Sequence, residues 1–220
     1  MKFNVFKHQN KFIRSDEKFV LLCGGYGSGK TVSLCLKAIT ELGRNPNKTI
    51  LLAEPVYPMI KDVLQPTLES ILSDLKFKYT YRASENKYNI FWKNGKGSII
   101  LRSAENWRRW AGLNLCAFGI DEAALLKDDS AWKMGMSRLR DEKPKDNYQL
   151  IKAKTTDNTF LPDEFVETLK ENYDSKLVDA YINGNFVNLQ HGQAYYNFDR
   201  SLNEKQTKKF VRGNILTRTE

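Results

Sequence analysis

Cysteine is scarce, with three in 220 residues: Cys23, Cys35 and Cys116. Each lies within an apolar run and none has the spacing of a metal-ligand pair, so they read as small core residues of a reducing compartment. No apolar run reaches 18 residues, and the N-terminus has no apolar leader core. The sequence therefore predicts neither a helical membrane span nor a signal peptide. Internal repeats and low-complexity tracts are absent as well, which argues against a solenoid or a disordered chain. Acidic residues are outnumbered, 26 Asp and Glu against 35 Lys and Arg, for a formal charge of +9 at pH 7. That surplus points to a polyanionic partner beyond any nucleotide, although solvated lysines alone would give the same balance. The apolar fraction of 41% is enough for one substantial α/β domain with a small appended subdomain.

What is present is organised around Gly24-Gly25-Tyr26-Gly27-Ser28-Gly29-Lys30-Thr31. Gly24 and Gly29 bracket four residues and Lys30-Thr31 follow, which completes G-x-x-x-x-G-K-[ST]. The apolar run Phe19–Cys23 before it reads as a buried strand, and Val32–Ile39 after it reads as a helix. Glycines let such a loop wrap so that successive N–H groups face phosphate oxygens, and the helix N-terminus adds positive potential. Lys30 is then expected to reach the β- and γ-phosphates of ATP and the Thr31 hydroxyl to bind Mg²⁺.

Periodicity orders the rest. Residues 3–13 predict a short helix, with Gln9 placed ahead of the loop, where its amide could read the N6/N7 edge of adenine. The helix after Thr31 is expected to close at Gly43, and Thr49–Ala53 is a second buried strand. Apolar residues from Met59 to Leu75 fall at helical spacing, with Pro66 a kink or break. Tyr79 to Trp92 alternate, Asn94-Gly95 marks a hairpin turn, and Ser98–Leu101 returns as its partner strand. Leu115–Ile120 and Tyr148–Ala153 are further apolar strands, and two helices follow across 162–173 and 175–182. The expected architecture is a mostly parallel central sheet flanked by helices, with an antiparallel hairpin addition. Residues 1–184 form the domain, and 185–220, polar and basic, form a lid or linker.

Asp121-Glu122 close the strand that ends at Ile120. Two carboxylates there are expected to complete the nucleotide site, Asp121 holding Mg²⁺ through water and Glu122 taking a proton from the attacking water. An acidic pair at a helix N-terminus would look the same. Ligands sit beyond the carboxyl ends of parallel strands. Thr155, Thr156 and Asn158, after the last strand, are thus placed to sense the γ-phosphate, unless they serve only as caps and turn formers.

These segments together resemble the ATPase domain of tailed-phage large terminases. The resemblance rests on the glutamine ahead of the glycine-rich loop, on Glu54-Pro55-Val56-Tyr57-Pro58 and the residues through Leu68, and on Trp110-Ala111-Gly112 before Ile120-Asp121-Glu122-Ala123. It also rests on Ala180–Phe186 with Gly192–Asp199, and so runs over roughly residues 3–200. It implies a P-loop fold, hydrolysis of ATP with Mg²⁺, and translocation of double-stranded viral DNA into a procapsid. It further implies a homo-oligomeric ring on the portal, work with the small terminase subunit, and residence in the infected host's cytoplasm. Many members carry an arginine or lysine inside the loop where this chain has Tyr26, which favours a transition-state cation from a neighbouring subunit. Arg109 is the first candidate, Arg108 the next, and Arg138 and Arg140 follow. Large terminases usually continue into an RNase H-like nuclease, for which no residues remain here, so no nuclease activity is expected of this polypeptide. Two rivals share the motifs: a helicase of the Asp-Glu-Ala-x kind, and an ATP-binding switch with little turnover.

Overall fold

The computed structural model describes residues 4–93, 95–139 and 148–185. The expected lid or linker, 185–220, lies outside these apart from Asn185, as does Arg140. In chain order the elements open with α1 (Lys7–Arg14), β1 (Phe19–Gly24), α2 (Lys30–Arg44) and β2 (Thr49–Glu54). Next come α3 (Tyr57–Met59), a π-turn (Ile60–Leu64) and α4 (Gln65–Asp74), then β3 (Lys78–Arg82), β4 (Lys87–Trp92) and β5 (Gly95–Ser103). The remainder is a 3-10 turn (Trp107–Trp110), β6 (Ala117–Ile120), α5 (Ser130–Arg138), β7 (Tyr148–Ala153), α6 (Asp163–Asn172) and α7 (Ser175–Tyr181).

The strands form two hydrogen-bonded sheets. One is the parallel pair β1-β7, and the other has the order β3-β4-β5-β2-β6. β2 runs parallel to both β5 and β6, while β3-β4 and β4-β5 are antiparallel. The expected hairpin addition is thus a three-stranded meander whose last strand, β5, enters the parallel part of the sheet. β2 is a continuous apolar run because both its faces are covered. Ile50 and Leu52 point into a core with α2, α4, Tyr88, Ile90 and Ile99. Leu51 and Ala53 point the other way, toward Trp110, Leu115 and Ala131.

Two local expectations are revised. Gly43 does not cap α2, which continues to Arg44; the Asn45 amide and side chain take the Glu41 carbonyl at 2.9 Å each and end it. Pro66 does not stop the helical run. The helix meets it by widening, with Gln65 N–H donating to Ile60 O across the π-turn, and Pro66 then occupies the first turn of α4, where its missing N–H is harmless. Among the described residues no helix is long and apolar enough to cross a membrane.

Leu52 is 1% exposed within the larger core. Leu52→Ala is expected to lower unfolding free energy by about 2–5 kcal/mol, read from the urea midpoint, with nearly unchanged m-value.

Candidate active site

β1 delivers the glycine-rich loop and α2 receives it. Gly27 and Gly29 hold φ of 69° and 80°, left-handed values that L side chains adopt only with strain. Gly25 is required for close approach. A Cβ there would stand 2.4 Å from Thr155 Oγ1 and 2.6 Å from the carbonyl oxygens of Tyr181 and Ile182. The loop is held by backbone groups from distant parts of the chain. Gly25 N–H donates to Ala153 O at 3.1 Å and Tyr26 N–H to Tyr181 O at 2.6 Å. The Tyr26 and Tyr181 rings stack with centroids 4.3 Å apart, and burial together with the Tyr181 hydroxyl pushes the Tyr26 phenol upward in pKa.

From α1, His8 Nε2–H donates to Ser28 O at 2.9 Å, and Gln9 Nε2 donates to Gly29 O at 3.1 Å. Gln9 Oε1 accepts from Phe6 N–H at 2.9 Å. Gln9 is buried with both ends of its amide engaged, so it braces the loop here, and reading an adenine edge would require exchanging these bonds. Ser28 Oγ closes the loop onto Gly25 O at 2.8 Å.

Lys30 Nζ donates to Gly24 O at 3.0 Å and Gly25 O at 3.2 Å, which stores the ammonium inside the loop it follows. Thr31 Oγ1 donates to Asp121 Oδ2 at 2.5 Å. Asp121 is brought there by sheet register: its N–H bonds Ala53 O at 2.9 Å, which aligns the carboxyl ends of β2 and β6. Asp121 Oδ1 accepts from Glu122 N–H at 3.0 Å. Glu122 itself sits at φ 44° and ψ 41°, in the left-handed region.

Glu54, the last residue of β2, completes a group of three carboxylates. Its side chain is 1% exposed and neither oxygen has a hydrogen-bond partner. Burial, then the charges of Asp121 and Glu122, push its pKa up to about 8. The Thr31 hydroxyl and the Asp121 carboxylate oxygen in contact are hard oxygen donors of the kind Mg²⁺ takes, with the buried Glu54 carboxyl beside Asp121. Sequence reasoning missed Glu54 as a site residue, although a carboxylate ending an apolar strand is the same signal that marked Asp121. It also missed His8 and Tyr181, for which no local motif exists.

The three candidate sensors divide. Thr155 is buried and its hydroxyl donates to Tyr181 O at 3.0 Å, so it ties β7 to the end of α7. Asn158 Nδ2 donates to Gly27 O at 2.6 Å and touches the loop directly. Thr156 is exposed. Among the arginines, Arg108 lies 4.4 Å over the Trp107 ring, Arg138 donates to Ala111 O, and Arg109 is exposed on the 3-10 turn.

Glu54 sets a pH dependence of stability. Its folded pKa, about 8, stands above the ordinary 4.5, so between these pH values the folded state holds a proton that the unfolded state has released. Stability is lost as pH rises through that window. Glu54→Gln is expected to raise the melting temperature at pH 9 and to leave it nearly unchanged at pH 4.5, where wild type is already neutral.

Solved structures share this arrangement of elements. The large terminase of a thermophilic bacteriophage, in complex with ADP, superposes with a TM-score of 0.74 at 18% identity, covering 90% of this chain and 57% of that one. The same terminase in complex with ATP-gamma-S gives 0.73 at 18% identity over 90% and 56%. The ATPase domain of the Thermus phage P74-26 large terminase gives 0.66 at 14% identity over 84% and 95%. At these identities the likeness establishes the fold, and this chain spans little more than half the length of the first of these proteins. No curated protein matches the chain. The family model described as phage terminase large subunit matches residues 16–151, which include the glycine-rich loop, Asp121 and Glu122. The chain belongs to the phage terminase large subunit family.

Proposed function

We propose that this chain is an ATP-hydrolysing motor domain that drives double-stranded viral DNA into a procapsid. The observation that carries the reading is the 2.5 Å contact of Thr31 with Asp121, which joins the phosphate-loop hydroxyl to a carboxylate at the end of a neighbouring strand. The thermophilic phage terminase structures with ADP and ATP-gamma-S support the nucleotide as the ligand of this fold.

Loop amides from Gly27 to Thr31 cradle the phosphates, and Lys30 exchanges its carbonyl partners for β- and γ-phosphate oxygens. Thr31 and Asp121 hold Mg²⁺, which when bound neutralises phosphate charge. Glu122 accepts the proton of the attacking water, its backbone tied to the Asp121 carboxylate by its own N–H. With Tyr26 turned onto Tyr181, the loop supplies no cation of its own beyond Lys30, and Arg109 of a neighbouring copy offsets charge in the transition state. Release of the γ-phosphate reaches the rest of the domain through Asn158 and Tyr181, both bonded to the loop. The motor acts as a homo-oligomeric ring at the portal in the host cytoplasm, together with the small terminase subunit.

ATPase rate against protein concentration tests the reading. Specific activity is expected to rise with concentration, and Glu122→Gln to lower kcat by about 10²–10⁴ while nucleotide binding persists. Arg109→Ala is expected to remove roughly 10³-fold or more of the assembled rate, and inactive Glu122→Gln subunits to rescue it when mixed in. A constant specific activity, indifferent to Arg109→Ala, would sink the borrowed arginine. No hydrolysis under any condition would sink the motor.

A further inference from the structure

The meander β3-β4-β5 has one face against the larger core and an opposite face that is open over β3 and β4 and closes at Ile100 of β5, which is buried with Trp110 and Ala131. Register sorts the residues. Tyr88, Ile90, Ile99 and Leu101 are buried in the larger core. The opposite face carries three cross-strand rows: Lys78, Phe91 and Lys96; then Thr80, Asn89 and Ser98; then Arg82, Lys87 and Ile100, with Arg102 beyond it on β5. Side-chain bonds verify that the middle row shares a face. Ser98 Oγ donates to Asn89 Oδ1 at 2.9 Å, and Asn89 Nδ2 to Thr80 Oγ1 at 3.4 Å. Lys78, Arg82 and Lys96 are exposed and Lys87 is half-buried.

An amphipathic sheet ordinarily balances its solvent face with both signs of charge, since like charges on adjacent strands repel. Here the three strands place five cations, Lys78, Arg82, Lys87, Lys96 and Arg102, and no carboxylate on that face. Glu85, in the turn between β3 and β4, meets Arg82 at one corner with a loose 3.5 Å contact.

We propose that this basic face of β3-β4-β5 is a contact surface for the phosphate backbone of double-stranded DNA, a surface that rests on the motor reading above. The geometry argues for an extended polyanion. The two basic rows lie four residues apart along the strands, roughly 13 Å. One small anion cannot bridge them, whereas a duplex offers a phosphate about every 1.7 Å of axis. The middle row spends its hydrogen bonds on itself, so the face holds phosphate by charge and has little left with which to read bases. A surface that grips without sequence preference is what repeated stepping along DNA requires.

Fluorescence anisotropy of a labelled 30-base-pair duplex, titrated with the full chain at several KCl concentrations, tests the assignment. Lys78→Ser/Arg82→Ser/Lys96→Ser is expected to weaken binding about tenfold or more and to reduce the slope of log K against log salt by about 2–3. Its melting temperature and ATP affinity should match wild type, because all three side chains are exposed and distant in sequence from the loop. A control with equal charge loss elsewhere, Arg14→Ser/Lys133→Ser/Lys170→Ser, should change the slope by less than one. Equal losses in both variants, or none in the first, overturn the face while the DNA partner stands. Unchanged DNA binding with lost retention on immobilised polyglutamate would assign the face to an acidic protein and also overturn it. If wild type binds no duplex even at low salt, the DNA partner fails, and the face with it.

Discussion

Close approach of backbone to backbone at Gly25 is the constraint on which the site depends. With no Cβ in the way, the end of α7 rests directly on the loop, where the Ala153 and Tyr181 carbonyls accept from Gly25 and Tyr26, and Thr155 ties β7 to that same end of α7. Contacts from α1 to Ser28 and Gly29 approach from another part of the chain. The loop's shape is therefore set by its surroundings before any ligand arrives, which is the condition under which preorganised N–H groups act on phosphate without reorganisation. The same contacts make the loop a junction. A ligand that moves it must also act on α1, on the segment after β7, or on α7.

The second organising feature is β2. Because β5 and β6 flank it in parallel, its end and the end of β6 lie side by side, and the carboxylates Glu54 and Asp121 are delivered to one place. Negative charge is concentrated where the loop's helix brings positive potential and Lys30 an ammonium. Burial there, with the charges of Asp121 and Glu122 added, keeps the Glu54 carboxyl protonated up to about pH 8.

The fold was legible where one local signal sufficed. Apolar runs marked β1, β2, β6 and β7, and the spacing Gly24…Gly29-Lys30-Thr31 located the loop with its glycines. What escaped was set by tertiary contacts. The sequence cannot tell that Asn45, through its amide and side chain on the Glu41 carbonyl, ends the helix rather than Gly43, nor that a π-turn absorbs Pro66. Gln9 stands out for its amide, yet its partner in the structure is the loop's own Gly29 carbonyl. Glu54 reads as a loop residue because its burial depends on β6, far along the chain. Of the short polar residues after β7, only the packing of α7 distinguishes Thr155, enclosed, from Thr156, in solvent.

Glu122 occupies a backbone conformation that glycine or asparagine adopts more cheaply, at φ 44°. A side chain held there typically costs about 1–3 kcal/mol. On the proposed role of Glu122, the position places folding and chemistry in opposition: drift toward greater thermostability favours the very substitution that would delete the proposed proton acceptor. Libraries selected for heat resistance alone would accumulate Glu122→Gly, whereas libraries selected for the proposed turnover would keep the glutamate.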